Sequence, residues 1–139
     1  DKITNNRSTA NLKNSPEVNV EEIYGVYIDK RRELMWQDTI DNKKMILSWK
    51  DAKSYCDNLF LGNYIDWRIP IKPELESIID INNNPAIKKE FIYVSKTFYW
   101  STPIKLDSSF AWHVFFGKDG GADYEDMKNL NSIRCVRNY

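Results

Sequence analysis

From Ile23 to Asp29, and again from Glu33 to Gln37, apolar and polar side chains alternate on either side of a basic triplet, Lys30-Arg31-Arg32. A period of two marks a half-buried strand, so this stretch predicts a β-hairpin with the triplet in its turn. Further along the period lengthens. Trp49, Ala52, Tyr55, Cys56 and Leu59 recur at helical spacing, Ser48 with Asp51 three positions later supplies a capping-box-like start, and Gly62 a stop. A second helix is predicted from Pro73 to about Ile81, with Pro in its first turn and Leu75, Ile78 and Ile79 on one face; a short third turn starts at Pro85. After Phe91 strand-like alternation returns over Thr97 to Ser101, Phe110 to Phe116, around Ala122 to Tyr124, and Ile133 to Arg137, separated by Gly, Asp, Asn and Ser. Helices in the first half and strands in the second imply an α+β fold, two to three helices packed on small antiparallel sheets.

Residues 1–19 break this pattern. Ile3, Leu12 and Val18 are the bulky aliphatics in a segment of Asn, Ser, Thr and Lys, which reads as a polar tether or stalk end; residues 20–139 read as one domain. Aromatic residues make up 14% of the chain and supply the large side chains a core needs. Twenty basic residues balance twenty acidic ones, so no overall field draws the chain to nucleic acid or an anionic bilayer, and charge-driven binding needs a local patch. No stretch approaches the ~18 apolar residues of a membrane span. Asp1 in place of Met points to removal of an upstream segment, so the lack of a signal peptide does not argue for the cytoplasm.

Cys56 lies on the capped helix and Cys135 in the last predicted strand. Spacing alone leaves two readings open, a disulfide or two separately buried thiols. A resemblance bears on the choice. Leu34-Met35-Trp36-Gln37-Asp38, then Trp49-Lys50-Asp51-Ala52 with Tyr55-Cys56 and Leu59, then Asp66-Trp67-Arg68-Ile69-Pro70 with Glu74-Leu75, resemble the bacterial Lcl C-terminal domain family. So do Tyr99-Trp100-Ser101-Thr102, Ala111-Trp112 with Val114 and Phe116, and Ile133-Arg134-Cys135-Val136-Arg137, all in order along the chain. The resemblance implies a domain with a C-type-lectin-like fold from a secreted or surface protein such as a collagen-like adhesin. It also implies termini close together and a Cys56–Cys135 bond from helix to last strand. At Ile71 the family usually has a Thr that could cap the next helix, so here that cap must come from elsewhere.

The tryptophans divide by setting. Trp36, Trp49 and Trp67 read as core, whereas Trp100 and Trp112 fall nearer a surface and are candidates for ligand contact, although core packing is the plainer reading for them too. His113 alternates with Trp112, so one of the two should face outward; no nucleophile or orienting carboxylate accompanies it, so contact is the reading rather than base catalysis. Asp119, Tyr124, Lys128 and Asn129 complete the ligand-binding candidates. Asp119, Asp123, Glu125 and Asp126 crowd Gly120-Gly121, but neither EF-hand spacing nor the calcium-dependent sugar motifs of lectins are present, so a solvated acidic turn without metal is expected. Asp66 and Arg68, flanking Trp67, suggest a structural ion pair. Lys30, Arg31 and Arg32 with Lys43 and Lys44 would form a basic patch suited to sulfated or phosphorylated glycans, although a solvated hairpin tip is the plainer reading.

No phosphate loop, zinc spacing, nucleophile elbow or dinucleotide fingerprint occurs. The expectation is a non-catalytic, extracytoplasmic recognition module without cofactor. It would bind glycan or protein through the surface from Trp100 to Asn131, with a homo-oligomer or filament subunit as the alternative.

Overall fold

The structure, a computed structural model, describes residues 24–139, so the tether expected over 1–19 and the hairpin's first residue, Ile23, lie outside the described residues. The hairpin forms as the alternation requires. β1 (Val26–Asp29) and β2 (Leu34–Gln37) pair antiparallel with Tyr27 opposite Trp36. In the turn the Asp29 carboxylate accepts from both the main-chain N–H and the guanidinium of Arg32, which ties one turn cation down locally.

β6 (Val136–Asn138) adds to the other edge of β2, giving the order β1-β2-β6. β2 is therefore central and all of it is buried. Its alternation sorts side chains into two cores. Leu34 and Trp36 join Leu75, Phe91, Tyr99, Val114 and Phe116; Met35 joins Ala52, Cys56, Trp67, Trp100 and Ala111.

The helices are short. α1 (Asp41–Lys44) lacks the apolar periodicity that would have marked it in the sequence. It is held by polar bonds instead: the Asn42 side chain accepts from the Thr39 N–H and donates to the Ile133 carbonyl. α2 (Trp49–Asp57) starts where expected, with Ser48 Oγ accepting from the Asp51 N–H, and turns Ala52 and Cys56 inward. It ends at Asn58, before the expected stop; the Asn58 main-chain and side-chain N–H groups both bond to the Ser54 carbonyl. Gly62, at φ +62°, instead serves the tight turn between Leu61 and Tyr64. α3 (Lys72–Glu76) falls short of the predicted Ile81 because Ile79 leaves the helix to bridge Ile87. That bridge also makes the region after Pro85 a connector rather than a third helical turn. The cap that Ile71 cannot provide comes from Glu74, whose carboxylate accepts from the Ile71 N–H at 2.9 Å.

The second sheet has the order β3-β4-β5, formed by Phe98–Pro103, Phe110–Phe115 and Gly121–Asp126. It feeds both cores, with Tyr99 and Val114 on one side and Trp100 and Ala111 on the other. Ser132 joins the sheets' connecting chain to β3 by donating to the Phe98 carbonyl and accepting from the Trp100 N–H. Cys56 and Cys135 form the disulfide that the resemblance implies, with Cα atoms 5.6 Å apart; Cys135 directly precedes β6. With a sequence separation of 79, this closure stabilises the fold by on the order of 4 kcal/mol.

One expected ion pair is replaced by two others. Asp66 pairs with Arg137 rather than Arg68. Arg68 makes a two-pronged bond to Glu74 and a further one to Asn138, because the Arg68–Val136 bridge brings its strand-like segment against β6 and the start of α3.

Candidate functional site

β4 and β5 pair with Trp112 opposite Tyr124 and Phe110 opposite Asp126. In that register Phe110, Trp112 and Tyr124 share one sheet face. Their rings form corners: Tyr124 stands nearly perpendicular to both Trp112, with centroids 5.5 Å apart, and Phe110, at 6.1 Å. Tyr124 is 50% exposed and Phe110 41%, while Trp112 is half-buried. The Lys72 ammonium lies 4.8 Å from the centre of a Trp112 ring and 3.3 Å from Glu76. Helix α3 thus puts a paired cation against an aromatic face open to solvent.

The opposite face holds His113. Its ring stacks on Phe98 with centroids 3.7 Å apart and lies beside Trp100. Nδ1 sits 2.7 Å from Glu125 Oε1, though off the line that an aligned hydrogen bond needs. The Glu125 carboxylate also accepts from the side-chain amides of Asn129 and Asn131, both at 2.6 Å. Burial pushes the His113 imidazole below its ordinary value, and the nearby Glu125 and Asp123 only partly oppose this. Burial alone would raise Glu125, but the amides of Asn129 and Asn131 and the adjacent His113 outweigh it and hold the carboxyl below its usual range.

Two of the contact residues expected from sequence are therefore corrected. Trp100 is fully buried and donates its Nε1–H to the Leu47 carbonyl, and His113 is buried between Phe98 and Glu125. Alternation required one of Trp112 and His113 to face outward, and it is Trp112, because the segment around Asn131 covers the other side. Tyr124, Asp119, Lys128 and Asn129 are exposed as expected. They do not form one cluster. Asp119 sits at the β4–β5 turn with φ +74°, while Lys128 and Asn129 follow the far end of β5, roughly 20 Å away for a strand of this length. Phe110 and Lys72 belong to the face but were missed; Phe110 had a signal, since it alternates in step with Trp112, whereas only folding brings Lys72 there.

The acidic loop uses its carboxylates locally. Asp123 accepts from the Tyr124 N–H, Asp126 from the Lys128 N–H, and Glu125 from the two asparagines. Among the described residues no three His, Cys, Asp or Glu side chains converge as a metal site. The basic residues follow the plainer reading at the hairpin, where Lys30, Arg31 and Arg32 are exposed and Arg32 is bound to Asp29; Lys43 lines a groove of about 690 Å³ together with Lys88, Lys89 and Lys96.

No helix among the described residues is long and apolar enough to cross a membrane. A search of curated proteins finds no match to the chain. Residues 25–137 match the family model described as the Lcl C-terminal domain. That span takes in both cores, the disulfide and the aromatic face, and the chain belongs to the Lcl C-terminal domain family.

Proposed function

We propose that this domain is a non-catalytic recognition module of a secreted or surface bacterial protein, binding a glycan or protein ligand without calcium through its C-terminal half. The observation that carries this reading is the solvent-open aromatic face of Phe110, Trp112 and Tyr124 beside Lys72. Aromatic rings offer apolar area at small entropic cost, and a neighbouring cation and carboxylates supply direction. The extracytoplasmic setting is supported by the Cys56–Cys135 bond, since such bonds persist in oxidising compartments.

The alternative, an assembly subunit, would use the edge of β5 that no strand among the described residues pairs. Asp123 blunts that edge by taking the Tyr124 N–H, a device that discourages strand-to-strand pairing. Screening on a glycan array, then titrating the best hit into wild type and Tyr124→Ala, tests the proposal. Weaker binding by a variant of unchanged melting temperature supports it. Light scattering that shows a stable oligomer with Tyr124 protected would assign the assembly role instead.

A further inference from the structure

The groove next to the 83–96 segment combines two chemistries. Lys43, Lys88, Lys89 and Lys96 line it, and no Asp or Glu among the described residues does; Glu90, in the same segment, is not part of the lining. Apolar side chains share the lining, with Ile92 75% exposed and Val94 half-buried. The main chain of that segment is held by buried groups. Asp38 accepts from the Ile92 and Tyr93 N–H groups, buried Arg134 donates to the Tyr93 carbonyl, and the Arg134 guanidinium lies 4.6 Å from the centre of the Phe91 ring.

A cationic lining alone would suit any polyanion. The exposed apolar side chains beside the lysines call for a ligand that carries carboxylates and apolar side chains together. We propose that this groove, separate from the aromatic face, receives an acidic peptide segment of a partner protein. The partner's carboxylates meet the lysines and its apolar side chains settle on Ile92 and Val94.

Fluorescence anisotropy with a labelled peptide that alternates Glu and Leu tests this, against a Gln–Leu peptide, oligoglutamate and dextran sulfate. Binding of the Glu–Leu peptide should exceed that of both peptide controls and weaken with salt. A Lys43→Glu, Lys89→Glu, Lys96→Glu variant and, separately, Ile92→Ser should each lose ~10-fold or more in affinity while melting as wild type does. The proposal is overturned if the Glu–Leu peptide does not bind, or if neither variant weakens it. It is equally overturned if Ile92→Ser binds normally while dextran sulfate displaces the peptide, because the site would then read charge alone. Tyr124→Ala should leave peptide binding intact, so failure here is distinguishable from failure of the aromatic-face reading.

Discussion

The Arg134 guanidinium and the Asp38 carboxylate lie 3.3 Å apart in the interior, with Arg134 fully buried. Around them the Gln37 and Tyr93 carbonyls and Asn42 accept from the same guanidinium, and Phe91 and Tyr99 pack against its faces. One cation thereby joins β2, α1, the 91–95 segment and the chain leading to β6. Removing one partner of a buried pair strands the other, at a typical cost of about 3 to 5 kcal/mol. Asp38→Asn or Arg134→Met should lower stability by that order in urea titration. The amides of Ile92 and Tyr93 should lose protection from hydrogen exchange first.

The disulfide should be present without reductant, so mass spectrometry should find no free thiol. Replacing Cys56 and Cys135 by Ala should cost roughly 2 to 5 kcal/mol, because the unfolded chain regains the freedom that the bond removes. Unchanged stability would mean that the unfolded state is already compact between these positions.

Stability should fall on acidification in two steps. The folded-state value of His113 lies below its ordinary 6.5, so the folded protein binds that proton less readily than the unfolded chain. Its contribution is complete above 6.5 and is lost as pH falls through the lowered folded value. Glu125 and Asp29, both held low, act in the same sense below their ordinary values of 4.5 and 3.8. His113→Gln should flatten the upper step and keep the Asp29 part of the lower one, while Glu125 is then held low by Asn129 and Asn131 alone. A wild-type melting curve unchanged between pH 7 and 5 would contradict the role of His113.

Chelator and millimolar calcium should leave the melting temperature unchanged, since the loop carboxylates are already engaged by main-chain and amide N–H groups. A ligand that binds only the folded state must stabilise it. A rise of several degrees with calcium would therefore show that these bonds give way to the ion.

Surface and core substitutions should separate. Changing Tyr124 or Lys128 to Ala should alter stability by less than about 0.5 kcal/mol, whereas Asn129 also loses its bond to Glu125 and Asp119, at φ +74°, sits in a left-handed conformation that Ala adopts less readily. Trp36→Ala, in a fully buried position, should cost on the order of 3 to 5 kcal/mol. Charge reversal at Arg31, Arg32 and Lys43 that abolished binding in place of Tyr124→Ala would move the site to the basic side.

What the sequence determined by itself was local. Alternation located the β1–β2 hairpin and strands β3 to β5, and the Ser48 cap with its helical spacing located α2, because period and capping act within a few residues. The ordered motifs identified the family and with it the pairing of Cys56 with Cys135. Tertiary structure decided which face of each element is covered. Alternation shows that Trp112 and His113 point oppositely, but only the packing of the segment around Asn131 over the His113 side makes Trp112 the outer one. It also curtailed α3, where Ile79 gains a bridge to Ile87 at the expense of a helical turn. Lys72 reaches Trp112, Arg134 reaches Asp38, and Lys43 joins Lys88, Lys89 and Lys96 only after the sheets have packed. These residues are brought together from distant segments by burial of the two cores, and no local pattern records such a meeting.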